Sequence, residues 1–229
     1  IFQPPTIPVY NADGSYAGPG ANEGDAQNPL GMAARSDKTL KQNQLFGNLF
    51  AEYLILPELK FKSSLGLNVY SSQSKDYDPT FSEGNANRTI NSLTQEDVDY
   101  FDVVWENTLS FSKTINEKHQ LDALAGNTLQ NVQTDNLYGF REGFTNNENY
   151  LQYLDAGSSN DKSRGNLKEW SLASFFGRLN YGFSDKYLVA ANIRMDGSSR
   201  FGKSNRWGLF PSASAGWRIS KESFFHVPF

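Results

Sequence analysis

From Gln44 onward the chain alternates apolar and polar residues with period two, and in every alternating segment the apolar members fall on odd numbers. There are seven such segments: 44–55, 59–72, 100–115, 119–131, 167–183, 187–195 and 207–219. The third carries Phe101, Val103, Trp105, Leu109, Phe111 and Ile115; the sixth carries Tyr187, Val189, Ala191, Ile193 and Met195. The even positions include Lys60, Asn68, Asp102, Glu106, Asp122, Arg178, Asn180, Arg194 and Arg218. Successive side chains point to opposite faces of a strand, so each segment reads as a two-faced strand with one apolar surface and a mixed, often polar one. Residues 1–43 lack the pattern. They hold Pro4, Pro5, Pro8, Pro19 and Pro29 and the turn signals Asp13-Gly14 and Asn28-Pro29, and read as a loop region preceding a β-rich region over 44–229.

Strand length and connection length narrow the choice of fold. The segments run 9 to 17 residues, against a usual strand of about 5–6 residues, and a tilted strand crossing a bilayer needs about 9–11. Three-residue turns (56–58, 116–118 and 184–186) alternate with long connections at 73–99, 132–166 and 196–206. Outer-membrane barrels pair short periplasmic turns with long extracellular loops. Phe61, Phe111, Phe183, Tyr187 and Trp217 lie near the short turns, and Phe101, Trp105 and Trp207 near the long connections, as two aromatic girdles would. The fold expected is all-β: about seven long strands of an antiparallel transmembrane β-barrel. Leu65, Leu67, Leu109, Phe111, Ala125, Leu179, Val189, Ile193 and Ala213 would face lipid. Asp102, Glu106, Arg178, Arg194 and Arg218 would face the lumen. A soluble antiparallel sandwich shows the same alternation and stays open as the alternative. Pro211 cannot donate to a ladder, so it marks either a bulge or a strand that begins after it.

Composition excludes several other classes. At 38% apolar and a mean hydropathy of −0.57 the chain is polar for its 229 residues, yet 14% of it is aromatic, which disordered chains are not. The charges nearly cancel, with 21 basic against 25 acidic residues, so nothing points to nucleic acid. Without Cys there is no disulfide scaffold, Cys-ligated zinc or thiol nucleophile. No run approaches the roughly 20 apolar residues of a membrane helix. Ile1-Phe2-Gln3-Pro4-Pro5 does not open as a secretory leader, a start that suits a mature chain, a fragment or a cytoplasmic protein alike.

Motifs with possible chemistry are few. Arg194–Gly202 lacks the glycine spacing of a phosphate loop and reads as a hairpin connection turned by Asp196-Gly197. Arg194, Arg200 and Arg206 read as pairing with barrel or loop carboxylates. Glu96, Asp97 and Asp99 lack the spacing of a calcium loop and read as the cap of a short helix or turn, with Thr94 as its N-cap. His119 and His226 form no recognisable triad. No catalytic residue, metal or cofactor is expected. Tyr138, Phe140, Phe144, Tyr150 and Tyr153, set among polar residues in the longest connection, are the candidates for substrate contact. Packing of these rings within their own loop, or under a lipoprotein lid, is the plainer reading.

One stretch is specific. Phe175-Phe176-Gly177-Arg178-Leu179-Asn180-Tyr181 leads through Asp185-Lys186-Tyr187-Leu188 into Arg194-Met195-Asp196-Gly197-Ser198-Ser199-Arg200-Phe201-Gly202. Then follow Asn205-Arg206-Trp207-Gly208, Phe210-Pro211-Ser212 and Ser214-Ala215-Gly216-Trp217-Arg218-Ile219-Ser220. This resembles the barrel of SusC/RagA-type TonB-dependent transporters of the outer membrane of Bacteroidota. Ala51–Gly66 looks like another stretch of the same barrel, and Pro8–Tyr16 like an outer loop. The resemblance implies a barrel of about 22 strands, an N-terminal plug and a TonB-contacting segment, of which this chain shows only strands. It implies energy-coupled import of oligosaccharides or peptides, a SusD-like lipoprotein at the extracellular mouth, and outer-membrane lipids around the wall. His226-Val227-Pro228-Phe229 would stop in a turn, as in a section cut from mid-barrel. The rival readings are a soluble β-rich carbohydrate-binding or adhesion module, and a passive porin.

Overall fold

The computed structural model describes residues 6–225; His226 and the turn expected around it lie outside the described residues. A short helix, α1 (Pro29–Arg35), precedes strands β1 (Asp37–Leu56) and β2 (Leu59–Asp78). A small hairpin follows, β3 (Phe81–Glu83) and β4 (Ala86–Arg88), and then β5 (Ser92–Ile115), β6 (His119–Glu142), β7 (Ser159–Phe183), β8 (Tyr187–Ser198) and β9 (Trp207–Trp217). Seven strands form one sheet in the order β1-β2-β5-β6-β7-β8-β9, so each strand pairs with its neighbours in sequence. This is an up-and-down meander, and short turns favour it because they can only join antiparallel neighbours.

β5, β6 and β7 reach 24, 24 and 25 residues, and 24 residues extend about 80 Å at roughly 3.4 Å each. That is far longer than the alternating segments alone. The chain divides into two compact units. The first holds the residues up to Asn43 together with 70–99 and 135–167; the second holds 44–69, 100–134 and the residues from Lys168 on. The strand portions in the second unit match the seven alternating segments to within a few residues. The portions in the first unit, such as Asp37–Asn43, Tyr70–Asp78 and Ser159–Leu167, carry no alternation. Glu96, Asp97 and Asp99 therefore sit in β5 and cap no helix. Asp196 and Gly197 likewise lie within β8, opposite Gly208 and Trp207, so they do not form the turn. Residues 1–43, which read as loop, also contain α1 and the start of β1.

The first unit has the chain's small apolar cluster: Tyr77, Leu93 and Phe144, with Leu154 packed on it. Tyr77 meets Phe144 edge-on at 5.4 Å between ring centroids, the geometry that aromatic quadrupoles favour. Asn91 fastens this cluster. Its amide donates to the Phe144 and Asn146 carbonyls at 3.2 Å each, and its carbonyl accepts from the Phe144 N–H at 2.8 Å. The residues before β1 are anchored on Asn28 and Glu83, both buried. Asn28 Oδ1 caps α1 by accepting from the Leu30 and Gly31 N–H groups. Its amide donates to the Val9 and Ala17 carbonyls at 2.8 and 2.9 Å. Glu83 accepts from the Asn28 N–H and pairs with Arg35, whose guanidinium also covers the Phe81 ring at 3.9 Å.

Pro211 starts neither a strand nor a bulge. β9 runs through it opposite β8 in unbroken register, Ile193 facing Pro211. Ladder bonds fall at even pairs such as Ser198 to Arg206 and Arg218 to Lys186. Odd pairs are therefore the non-hydrogen-bonded ones, and the proline nitrogen points away from β8.

Candidate functional site

Two surfaces of the second unit carry the functional information. The first is its odd-numbered face. β7 pairs with β8 through Phe175↔Met195, Gly177↔Ile193, Leu179↔Ala191 and Tyr181↔Val189. β8 continues to β9 through Val189↔Ala215, Ala191↔Ala213 and Met195↔Leu209. Odd residues of β7, β8 and β9 thus share one face, and most of its large side chains remain open, from Phe183 at 36% to Leu209 at 60% exposed, with Tyr181 half-buried. Leu65, Leu109, Leu179, Val189 and Ile193 are all in this exposed set, while Leu67 and Phe111 are half-buried. Ala125 and Ala213 are exposed as well. Isolated exposed apolar residues are ordinary, but a contiguous apolar sheet face is a binding or membrane surface.

The second is the even-numbered face, which is mixed: it carries many side-chain hydrogen bonds together with the exposed Phe46, Phe50, Leu54 and Phe210. Gln44 donates to Asn68 at 3.0 Å, Asn48 to Ser64 at 2.9 Å, and Ser112 to Asp122 at 2.6 Å. Asp102 accepts from Gln130 at 2.9 Å and from the Tyr100 hydroxyl at 3.3 Å, and Glu106 accepts from Thr128 at 3.1 Å. Arg178 donates to Asn180 at 3.2 Å. Arg194 makes two bonds to Asp196, at 2.8 and 3.0 Å, and one to Ser174 at 3.0 Å. Of the three arginines expected to meet carboxylates, only Arg194 does so. Arg200 lies over the Trp170 ring at 4.7 Å, and the buried Nε of Arg206 has no acceptor among the described residues.

Arg218 continues the even register just past β9, where its N–H donates to the Lys186 carbonyl. It pairs with Asp185 in the turn between β7 and β8, where Lys221 joins the same carboxylate. These two cations, with the Lys221 hydrogen bond foremost, hold the Asp185 carboxyl below its ordinary range. Next to it, Glu222 accepts from Lys186 and the Tyr187 hydroxyl at 2.8 Å each and from Trp217 Nε1 at 3.1 Å. The Lys186 bond first, then those of Trp217 and Tyr187, bring its pKa down to about 2. Rings continue along this edge. Phe183, Tyr187 and Trp217 stack at 6.3 Å intervals, Trp217 meets Phe224, and His119 packs against Phe183 while Nδ1 contacts the Tyr181 hydroxyl at 2.7 Å. Amphipathic rings beside short turns, with charges just beyond, are the composition of an interfacial girdle.

The five aromatic candidates of the longest connection have different surroundings. Phe144 is 6% exposed in the Tyr77–Leu93 cluster, so its ring serves packing and is closed to a substrate. Tyr138 and Phe140 lie in β6 under Arg164 at 4.3 Å and Lys162 at 5.1 Å. Tyr150 and Tyr153 are open, at 69% and 66% exposed, with Lys75 5.7 Å from the Tyr153 ring. No group of three or more His, Cys, Asp or Glu that could hold a metal occurs among the described residues.

A family model described as TonB dependent receptor-like, beta-barrel matches residues 3–225. The chain is 31% identical over 220 residues to TonB-dependent receptor P3 of Formosa agariphila, covering 96% of this chain and 22% of that protein. It is 29% identical over 222 residues to TonB-dependent receptor SusC of Bacteroides thetaiotaomicron, covering 96% and 21%. The structure of the RagAB peptide importer in the 'open-open' state superposes with a TM-score of 0.82 at 22% identity, over 94% of this chain and 24% of that one, which establishes the shared fold. The chain spans about a fifth of the length of the curated relatives it matches. An exposed apolar face, side-chain hydrogen bonds on the other face and aromatic rings beside the short turns suit a barrel wall, and the chain belongs to the TonB-dependent receptor-like β-barrel family of the bacterial outer membrane.

Proposed function

We propose that this chain is barrel wall of an energy-coupled importer of oligosaccharides or peptides, with no catalytic role of its own. The carrying observation is the division of one sheet into an exposed apolar odd face and a mixed even face rich in side-chain hydrogen bonds. A soluble module would have to cover that apolar face; a bilayer covers it without a partner. The unpaired outer edges of β1 and β9 require further strands in a membrane, and the greater length of the relatives supplies room for them. Odd residues such as Val189 and Ala125 face lipid, and Asp102, Glu106, Arg178 and Arg194 face the lumen. The long connections stand on the extracellular side, where Tyr150 and Tyr153 offer open ring faces to a sugar or a peptide. The likeness to SusC and to the RagAB peptide importer supports a SusD-like lipoprotein as lid and the TonB system as energy source.

The test is uptake in the native host. Deletion of the full-length gene should abolish import of one oligosaccharide or peptide class, and loss of TonB should abolish the same import. Uptake that persists without TonB would point to a passive porin. A detergent-independent, heat-stable monomer in the aqueous phase would establish the soluble binding module instead.

A further inference from the structure

We propose that the odd-numbered face carries a site for one phosphorylated membrane lipid, between Trp105 and Trp207; the site rests on the reading that this face meets the bilayer. A groove of about 450 Å³ lies there, walled by Val103, Trp105, Leu129 and Trp207 over a floor that includes Ala173 and Gly197. Gly197 lets the Trp207 wall pack flat, since the indole lies so close that a Cβ there would come within 2.7 Å of it, and its register partner Ala173 keeps the open part of the floor low. An acyl chain fits such a trough, since it is apolar, narrow and needs no hydrogen bond.

Charge selects the headgroup. The connection 199–206 borders the groove through Ser199 and Arg206. It carries Arg200, Lys203 and Arg206 and no carboxylate. Among the described residues none of the three makes an ion pair, although Lys and Arg elsewhere in the chain do so repeatedly, as with Arg194, Arg218 and Lys221. Arg206 is the telling case: it lines the groove, and its buried Nε–H has no acceptor. A buried donor left unpaired is costly, and a phosphate oxygen is the acceptor a guanidinium fits best. The groove lies beside Phe101, Trp105 and Trp207, at the girdle opposite the short turns, where headgroups begin. The occupant is therefore a lipid with its chain in the groove and its phosphate on Arg206.

The experiment uses the full-length protein in detergent micelles, with monophosphoryl lipid A as the probe and native mass spectrometry as the readout. Wild type should retain one lipid. Arg206→Gln should weaken retention about tenfold, the effect of losing one charge-assisted contact, and Arg206→Lys should restore most of it. Ala173→Leu, which fills the floor with an apolar group that lipid tolerates, should weaken it similarly. The dephosphorylated lipid should bind wild type as weakly as monophosphoryl lipid A binds Arg206→Gln. Equal retention by wild type and Arg206→Gln overturns the site, as does displacement by millimolar inorganic phosphate, which would make it a free-anion site. So does a dimer whose second copy covers the groove. In all three cases a folded, detergent-dependent barrel leaves the membrane reading standing. A protein that partitions into water without detergent defeats that reading and the site together.

Discussion

The two units are built largely from the same strands, yet they follow different rules. In the second unit β5 reads Phe101, Val103, Trp105, Leu109 and Phe111 on one face with Asp102 and Glu106 on the other. In the first unit the same strand reads Ser92-Leu93-Thr94-Gln95-Glu96-Asp97-Val98-Asp99, with one residue, Leu93, fully buried. On the proposed reading of the odd face as the lipid face, the difference is one of solvent. A strand between lipid and a wet lumen must segregate its side chains by face. A strand wet on both sides is free of that demand, and holds its place through local clusters and hydrogen bonds such as those of Asn91 and Glu83. The first unit thus gathers a few apolar groups into a small buried cluster, while the second leaves most of its large apolar side chains exposed along its strands.

The sharpest way to separate the two regimes is to remove or add one group in each. Phe144→Ala, in the inward cluster, should cost about 3–5 kcal/mol, as for other buried aromatic truncations. Hydrogen exchange of the full-length protein should show lost protection around residues 77, 93 and 144 with the second unit unchanged; loss spread over both units would break the comparison. Val189→Arg, on the outward face, should cost ~2–4 kcal/mol when the barrel is refolded into lipid. Asn192→Arg, on the even face of the same strand, should shift stability by no more than about 0.5 kcal/mol. Equal effects of the two arginines would show the faces to be misassigned.

Smaller effects belong to the short-turn edge. Asn116 and Glu117, like Ser184 and Asp185, take positive φ without being glycine, in turns closed by the Lys118 N–H to Ile115 and Lys186 N–H to Phe183 bonds. Glu117→Gly should raise stability by about 0.5–1 kcal/mol, the left-handed penalty relieved less the entropy glycine loses. A fall in the denaturation midpoint would mean the strain is absent. Glu222 gives a pH signature. Its pKa is depressed to about 2 from 4.5, so its contribution is complete above about pH 4.5 and fades as pH drops toward 2. Fluorescence from Trp217 should change over that window in the wild type and not in Glu222→Gln.

How much of this was legible in the sequence follows from the same contrast. A period of two survives in the letters, so the seven alternating segments could be read directly as strands. The polar continuations of β2, β5, β6 and β7 could not, because two wet faces leave no period; Tyr70–Asp78 has the composition of a loop. The clasp at Asn28 and Glu83 joins positions 55 apart, and no local signal announces it, although Asn28-Pro29 before an apolar run is a cap signature that marks α1. Phe144 and Tyr150 look alike as aromatics in a polar connection; only the partners Tyr77 and Leu93, far away in sequence, make one a core residue. Arg206 was visible as a cation, but its lack of a carboxylate partner is a property of three dimensions.

Pro211 has one more consequence. Its nitrogen points to the outer side of β9, so any strand that zips onto that edge in a closed barrel meets a ladder with one rung missing at a fixed height. The carbonyl facing it must find another donor, from the lumen water, a neighbouring side chain or a bulge. A slip of two residues would keep every apolar side chain facing lipid, since the period is two, but it would move the gap away from whatever donor fills it. The proline is thus a notch by which one alignment of two strands can be told from the next during assembly, where the apolar pattern alone cannot tell them apart.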